Sequence, residues 1–291
     1  MSRKYKEFLA IVSLAWMVIA AGCDTGSSTA GGTSPGAPVA STPATPSQPE
    51  PAAPEERPVV AETLPYAEIE QQLVYGHFAF PADMVDPLPG VIVIHERWGL
   101  DDSTRMLSER LAAQGYVVLA IDLFAGQVAE DAAASRKLML PIVENPEMAY
   151  ENSRQAHQFL IESGQAPRIA LLGWSFGGTQ AVNAAMELPD LFAAAVLYYG
   201  QVSTSEERLA ELAVPVLAIY GENDRGFTVD KVSDFEAAMD NLGKDYQVEL
   251  YVDVGHGFAD PYGANYNADV AEQAWVAALA FLGQYLVDSP N

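Results

Sequence analysis

The fold is decided by the stretch Gly173-Trp174-Ser175-Phe176-Gly177-Gly178. It follows an apolar run at 168–173, which predicts a buried strand, and it precedes a helical pattern at 178–187. A G-x-S-x-G pattern between a strand and a helix is typical of the turn that displays a nucleophilic serine above a parallel sheet. Glycine-rich strand-to-helix turns also occur without a nucleophile, so partner residues must be found before catalysis is inferred.

The sequence on both sides of this motif alternates between strand and helix patterns. Apolar, β-branched runs predict further strands at 91–95, 116–122, 193–199, 216–220 and 247–252. Helical spacing predicts helices at 102–114, 147–161, 178–187, 229–242 and 269–285. The alternation predicts a single α/β domain of α/β-hydrolase fold, with a mostly parallel sheet and helices on both faces.

Two residues that could complete a catalytic triad follow predicted strands. Asp224 comes after the strand at 216–220, and His256 comes after the strand at 247–252. The order serine, acid, histidine is that of α/β-hydrolases, and the carboxyl ends of parallel strands share one edge of the sheet. We therefore predict Ser175 as nucleophile, His256 as general base and Asp224 as the acid that orients it. Glu222 and Asp253 are alternative acids at the same edge.

The loop after the first predicted strand reads His95-Glu96-Arg97-Trp98-Gly99. A zinc site of the H-E-x-x-H type would need a second histidine where Gly99 stands. The loop therefore does not predict a metal site, and we expect no bound metal. We expect His95 to have a structural role.

The same loop is expected to help bind the substrate. In this fold the oxyanion hole combines the amide after the nucleophile with an amide from this loop, which here are the backbone N–H groups of Phe176 and Arg97. The side chains expected to position the substrate are Glu96, Arg97, Trp98 and Tyr199. The aromatic residues in or beside strand-end loops, some of which are expected to line an apolar pocket, are Trp98, Phe124, Trp174, Tyr199, Phe258 and Tyr262.

From about residue 70 to 286 the chain resembles the dienelactone hydrolase family of α/β-hydrolases. The stretches that carry the resemblance are Val93-Ile94-His95-Glu96 with Gly99-Leu100, Gly115-Tyr116 with Asp122-Leu123, the serine motif at 173–178, Tyr198-Tyr199-Gly200, Gly221-Glu222-Asn223-Asp224 and Gly255-His256-Gly257-Phe258. The resemblance implies hydrolysis of a carboxylic ester or lactone through an acyl-enzyme, with no metal or organic cofactor.

Two departures from the family pattern bear on the chemistry. The family's namesake uses a cysteine nucleophile that is activated by the glutamate matching Glu96, whereas this chain has Ser175. A hydroxyl is much harder to ionise than a thiol, so His256 must do more of the activation. The namesake also has an arginine soon after the catalytic histidine, and this chain has none at 259–262.

Two other functions remain open from the residues alone. The same triad would also serve a peptidase or amidase, and the fold could instead belong to a non-catalytic, tethered binding protein. The net charge of -24, from 15 basic and 39 acidic residues, opposes binding to nucleic acid. We expect a small-molecule ester or lactone as substrate and a monomeric protein.

The first 63 residues read as an export signal and a tether. A basic start at 1–6 and an apolar run at 8–21 predict a signal peptide at 1–22, and Ala20-Ala21-Gly22-Cys23 resembles the lipobox of bacterial lipoproteins. The apolar run would span about 21 Å as a helix, which is short of a ~30 Å hydrocarbon core. Residues 23–63 are rich in Pro, Ser, Thr and Gly and predict a disordered tether, followed by the hydrolase domain at 64–291.

This pattern predicts a location in the cell envelope, extracytoplasmic and facing the periplasm, with the protein anchored to a membrane by a lipid on Cys23. Cys23 is the chain's single cysteine, so no intramolecular disulfide can form.

We expect Cys23→Ser to move the protein from the membrane fraction to the soluble extracytoplasmic fraction, because it removes the thiol that would carry the lipid. Cell fractionation followed by immunoblotting measures this, and incorporation of labelled palmitate into the wild type is the positive control. Retention of the variant in the membrane fraction would contradict the lipoprotein prediction.

Overall fold

The computed structural model describes residues 57–287. The predicted signal peptide, Cys23 and most of the predicted tether lie outside the described residues. The last residues of the predicted tether lie inside the described range, and for residues 59–63 the prediction of disorder is wrong. Residues 59–63 belong to the first strand, so the folded domain begins before the boundary at 63/64.

The eight strands form one sheet with the order β1-β2-β4-β3-β5-β6-β7-β8. Their bounds are β1 (Val59–Ile69), β2 (Gln72–Pro81), β3 (Gly90–Ile94), β4 (Val117–Ile121), β5 (Ile169–Trp174), β6 (Ala194–Tyr198), β7 (Val216–Gly221) and β8 (Tyr246–Tyr251). Strands β3 to β8 pair in parallel, whereas β1 and β2 form an antiparallel hairpin that joins the sheet through β4. The predicted single, mostly parallel α/β domain is confirmed.

Seven helices accompany these strands in the described part of the chain. Their bounds are α1 (Asp102–Ala113), α2 (Ala132–Glu144), α3 (Glu147–Glu162), α4 (Phe176–Glu187), α5 (Glu206–Leu209), α6 (Val229–Leu242) and α7 (Ala268–Leu286). The predicted helices and strands agree with these to within two residues at each end. Helix α4 begins two residues before its prediction, immediately after Ser175.

The sequence patterns missed β1, β2, α2 and α5. Strand β1 contains Pro65, which cannot donate a ladder hydrogen bond, and its pairing with β2 shifts register between Pro65 and Ala67. Helix α2 contains Pro141, which normally breaks a helical pattern. In both places a proline hid an element that pairing or packing stabilises.

The sheet is covered by helices on both faces. Helices α1 and α7 share a hydrophobic cluster with alternate strand residues such as Val196 and Tyr198. Leu197, between those two, points to the opposite face of the sheet. Its Cβ lies next to Gly178 near the start of α4, so α4 covers that face. Strands β3 to β7 are buried along their whole length, so their side chains fill the core on both faces of the sheet. Within residues 57–287, the helices are too short or too polar for any of them to cross a bilayer.

Helix α4 passes unusually close to the sheet at Gly177. A Cβ atom built on Gly177 would lie 2.1 Å from the carbonyl oxygen of Ile94 and 2.5 Å from that of His95. One built on Gly173 would lie 2.3 Å from the carbonyl carbon of Gly177. These neighbours are backbone atoms of β3, its following loop and α4, so a side chain at either glycine would push the helix away from the sheet.

We expect Gly177→Ala to lower the free energy of unfolding by about 1–3 kcal/mol or more, because the added methyl overpacks a backbone contact. The melting temperature would then fall by several degrees. Thermal unfolding followed by circular dichroism measures this.

Gly283→Ala is the matched control. Gly283 lies in α7, with nothing within 4 Å of the position its Cβ would take. This substitution should stabilise the protein by roughly 0.5–1 kcal/mol through helix propensity. Equal effects at the two glycines would show that the approach at Gly177 is not tight.

Candidate active site

Ser175 occupies a sharp turn between β5 and α4. Its backbone has φ 52° and ψ −115°, a conformation that a residue with a side chain rarely adopts. The turn is held by the Ser175 N–H, which donates to the Tyr198 carbonyl at 2.8 Å, and by the Thr179 N–H, which donates to the Ser175 carbonyl at 3.1 Å. The surrounding hydrogen bonds and the close approach at Gly177 therefore keep Ser175 in a strained conformation, as the serine motif predicted.

His256 lies on the loop after β8, within hydrogen-bond distance of Ser175. Its Nε2 is 2.8 Å from Ser175 Oγ. The loop is held by Asn265, whose side-chain amide donates to the His256 carbonyl at 2.8 Å. The imidazole is 46% exposed, so a molecule from solvent can reach it.

Asp224 completes the hydrogen-bonded chain from inside the protein. Its fully buried carboxylate has Oδ2 at 2.8 Å from His256 Nδ1. Oδ1 accepts from the Gly226 amide at 2.6 Å and from the Phe227 amide at 3.3 Å. Burial would raise the pKa of Asp224, but the hydrogen bonds from His256, Gly226 and Phe227, with the charge of His256, together outweigh it and lower the pKa. An ionised Asp224 holds the proton of His256 on Nδ1, which leaves Nε2 to accept from Ser175.

The two alternative acids lie outside this chain of hydrogen bonds. Glu222 and Asp253 are both exposed on the surface, and Asp253 adopts a left-handed backbone conformation with φ 62°. Of the acids that follow the strands, Asp224 is therefore the one that the structure brings to His256.

His95 has the structural role expected of it. Its ring is fully buried, with Nδ1 at 2.6 Å from the Glu96 carbonyl. Nε2 accepts a hydrogen bond from the Leu123 amide at 3.0 Å, so the proton must be on Nδ1. Burial lowers the pKa of His95, which keeps the ring neutral while it ties the loop after β3 to the loop after β4.

Glu96 is an acid in an unusual environment beside the triad. The hydroxyl of Tyr199 donates to Glu96 Oε1 at 3.1 Å, and the Tyr199 ring centre is 5.0 Å from that of His256. Burial, with a contribution from the charge of Asp260, raises the pKa of Glu96 to about 7, although the Tyr199 hydrogen bond and His256 act in the opposite direction. Glu96 therefore changes charge near neutral pH, close to the candidate catalytic base.

A cavity of about 640 Å³ opens above Ser175. Ser175, Phe176 and His256 line it together with Arg97 and Tyr199, so the structure brings the predicted nucleophile, the predicted base and the predicted oxyanion-hole residues to one space, with Asp224 buried behind His256. Phe176 is the first residue of α4, and the first N–H groups of a helix have no intrahelical acceptor. The oxyanion hole itself stays a prediction.

The expected aromatic lining is mostly wrong. Tyr199 lines the cavity, but Phe124, Trp174 and Phe258 are buried in the protein and Tyr262 is 70% exposed. Trp98 lies beside the cavity, where the guanidinium of Arg97 stacks 4.3 Å from its ring centre. Phe258 packs edge-on against Tyr199 and so supports the site from below.

One wall of the cavity comes from α2, which the sequence patterns did not predict. Its apolar contribution consists of Met139, Ile142 and Val143, followed by Pro146 in the loop before α3. Helix α4 and the loop after β6 supply polar groups to the same cavity, namely Thr179, Gln180, Asn183 and Gln201. No spacing in the sequence indicated which helix would cover the serine, because this depends on how the chain returns over the sheet.

Neither the triad nor the cavity holds a cluster of metal-ligand side chains. Among residues 57–287 there is no group of three or more His, Cys, Asp or Glu side chains arranged to hold a metal ion.

Comparisons with known proteins place the chain in a family. A relative from Aquifex pyrophilus, "Protein usf", is 31% identical over 205 residues, which span 68% of this chain and 89% of the relative. A protein from Aquifex aeolicus named "Putative carboxymethylenebutenolidase" is 28% identical over the same proportions of the two chains.

Among solved structures, one titled as a putative dienelactone hydrolase from Klebsiella pneumoniae superposes with a TM-score of 0.73 at 24% identity. The superposition covers 79% of this chain and all of the other, and it shows a shared fold. The family model described as "Dienelactone hydrolase family" matches residues 74–286, which include every strand from β3 to β8 and all three residues of the hydrogen-bonded chain. This chain belongs to the dienelactone hydrolase family.

Proposed function

We propose that this protein is a serine hydrolase that cleaves a carboxylic ester or lactone through an acyl-enzyme. The single observation that carries the proposal is the continuous hydrogen-bonded chain Ser175–His256–Asp224, with 2.8 Å at each step. In this chain a buried carboxylate fixes the imidazole, and the imidazole accepts from a hydroxyl at the floor of an open cavity. This arrangement of nucleophile, base and orienting acid makes a serine hydroxyl reactive.

The reaction would proceed in two steps. Ser175 Oγ attacks the substrate carbonyl carbon while His256 Nε2 takes its proton. The tetrahedral intermediate then collapses, the bond to the leaving oxygen breaks, and His256 returns the proton to that oxygen. A water molecule next attacks the acyl carbon, with His256 again taking the proton and passing it to Ser175 as the acid product leaves.

The oxyanion of each tetrahedral intermediate would be stabilised by the backbone N–H groups of Phe176 and Arg97. The N-terminus of α4 favours negative charge at the Phe176 amide. Tyr199, which lines the cavity, would position the substrate directly, and Trp98 would do so through Arg97, which stacks on its ring. The exposed Arg97 side chain would contact the substrate from the rim.

Glu96 has a different role here from the one that the cysteine enzymes of the family assign to the matching glutamate. Ser175 is already hydrogen-bonded to His256, and Glu96 accepts from Tyr199. Glu96 would therefore keep Tyr199 and the Arg97 loop in place. When ionised, it would also favour the positive charge that develops on His256 during attack.

We also propose that a lipid on Cys23 anchors the enzyme at the periplasmic side of a membrane. The support is the sequence alone: a basic and apolar start, a lipobox-like Ala-Ala-Gly-Cys and a Pro-rich tether. The tether would hold the active site away from the membrane, where small, soluble esters can reach it.

We expect Ser175→Ala to lower kcat for p-nitrophenyl acetate and butyrate by about 10⁴–10⁶-fold, because it removes the nucleophile. Ester hydrolysis is measured spectrophotometrically, and thermal unfolding checks that the variant is folded. Ser203→Ala is the matched control, since Ser203 accepts only from the Ser205 amide among its recorded hydrogen bonds and does not line the cavity. Near wild-type turnover by Ser175→Ala would contradict the mechanism.

The same assay separates the alternative functions. Turnover of aminoacyl p-nitroanilides in place of esters would favour the peptidase, which the same triad permits. A chain that neither hydrolyses these substrates nor reacts at Ser175 with a fluorophosphonate probe would be the non-catalytic binding protein.

We expect Glu96→Gln to lower kcat/KM by ten- to hundredfold, which corresponds to ~1.4–2.7 kcal/mol of transition-state stabilisation. The amide keeps the shape and can still accept from Tyr199, but it cannot ionise. Because the pKa of Glu96 is about 7, the wild type gains the negative charge as pH rises through this value, and the variant does not. The ratio of wild-type to variant kcat/KM should therefore rise between pH 6 and 8.

The comparison for Glu96→Gln is His256→Ala, measured over the same pH range. If the two substitutions are equally damaging, Glu96 activates Ser175 and does not act as a positioning residue. A ratio that does not change with pH would mean that its ionisation is not used.

A further inference from the structure

A second cavity lies on the other side of α2 from Ser175. It has a volume of about 370 Å³, and its wall is formed by the β1–β2 hairpin, the loop after β4 and the start of α3. Its apolar lining includes Leu73, Tyr75, Leu100, Leu123, Val128 and Met148. The triad residues do not line this cavity, and the mechanism above does not use it.

Three charged side chains line the second cavity: Glu70, which is exposed, and Asp122 and Arg105, which are held by the protein itself. The buried carboxylate of Asp122 accepts hydrogen bonds from the amides of Phe124 and Gly126. The guanidinium of Arg105 donates to the Thr63 hydroxyl and the Leu100 carbonyl. With Asp122 and Arg105 partnered, the remaining lining suits an apolar chain.

Ile142 contacts both cavities. Among the described residues it is the one side chain that lines both, and it is 4% exposed. It follows Pro141, which cannot donate a hydrogen bond within the helix, and α2 buries one other residue, Ser135. The residue common to both linings is therefore an aliphatic side chain on a helix that is mostly exposed.

The chemistry of the site determines which part of an ester points toward Ile142. His256 must return a proton to the leaving oxygen, so the alcohol side of the substrate lies next to His256. Beside His256 an open groove is lined by polar residues such as Asn223, Asn265 and Asn267. The acyl side then lies toward the apolar wall of α2, which ends at Ile142.

We propose that Ile142 is a specificity-determining residue that limits the length of the substrate's acyl chain by closing the second cavity off from the active-site cavity. This inference rests on the ester hydrolysis proposed above. The enzyme then acts on esters of short acids, and the second cavity is a preformed extension that Ile142 keeps out of use.

The test is the acyl-chain profile of Ile142→Ala in the full-length chain. We compare kcat/KM for p-nitrophenyl acetate, butyrate, octanoate and decanoate. Each methylene that leaves water for an apolar site contributes roughly fourfold, from ~0.8 kcal/mol. We therefore expect the octanoate-to-acetate ratio of kcat/KM to rise at least tenfold over that of the wild type, for which we expect kcat/KM to decline beyond butyrate.

Two controls separate the partition from a general loosening of the site. Met148→Ala enlarges the second cavity at a residue that does not line the active-site cavity, and Leu140→Ala alters an exposed position of α2 that lines neither cavity. Both should keep the wild-type ratio. The proposal is overturned if Ile142→Ala keeps the wild-type ratio, or if either control raises it as much as Ile142→Ala does.

A milder variant addresses the case in which Ile142→Ala does not fold, and a binding measurement addresses the case in which the wild type shows no ester turnover. Ile142→Val removes one methylene and should raise the ratio by a smaller factor if Ile142→Ala does not fold. Calorimetric titration of octanoate into Ser175→Ala, with and without Ile142→Ala, requires no turnover, and the double variant should bind at least tenfold more tightly. If the single and the double variant bind octanoate equally, the proposed role of Ile142 is wrong. If the wild type hydrolyses no ester but the double variant still binds octanoate more tightly, only the proposed function is wrong.

Discussion

The contact between the start of α4 and the carboxyl end of β3 constrains the whole site. Gly177 lies so close to the carbonyl oxygens of Ile94 and His95 that no side chain fits between them. This approach leaves a single residue, Ser175, to reverse the chain between β5 and α4, and it does so at a positive φ. The strain is acceptable because the sheet on one side and α4 on the other hold both ends of the turn. The same approach brings the loop after β3, with Glu96 and Arg97, to the serine.

Three carboxylates near one histidine have different environments and therefore different chemistry. Asp224 is buried but accepts hydrogen bonds from two amides and from His256, so it stays ionised and orients the ring. Glu96 accepts from one tyrosine hydroxyl, but burial and the charge of Asp260 outweigh that hydrogen bond and raise its pKa to about 7. Asp260 accepts from the Ser103 hydroxyl and the Tyr262 amide and adds negative charge beside Glu96. Hydrogen bonds to the carboxylate of Asp224 lower its pKa and keep it ionised, whereas burial and a neighbouring negative charge bring the pKa of Glu96 near neutral pH.

The candidate triad and the apolar wall of the cavity belong to different parts of the fold. The parallel strands and α4 hold Ser175, His256 and Asp224 together, whereas the wall comes from α2, a covering helix in which only Ser135 and Ile142 are buried. In the function proposed above, this division would allow the acyl-binding wall to vary while the triad geometry is kept, because the two are carried by different elements. The proposed activation of Ser175 would depend on His256 and Asp224 and not on the covering helix.

The sequence alone was enough to predict the strands β3 to β8, the helices α1, α3, α4, α6 and α7, and the residues Ser175 and His256, with Asp224 preferred among the acids at the same edge. These were readable because a strand buried on both faces needs a continuous apolar run, and because the edge where parallel strands end brings Ser175, Asp224 and His256 together. Only the tertiary structure distinguishes Asp224 from Glu222, because it shows which carboxylate points inward to His256. The hairpin β1–β2 and helix α2 were hidden by prolines whose cost is offset by pairing and packing with distant residues. The cavity wall, the partition at Ile142 and the raised pKa of Glu96 arise only when segments far apart in the chain are packed together, because burial and charge proximity are properties of the assembled fold.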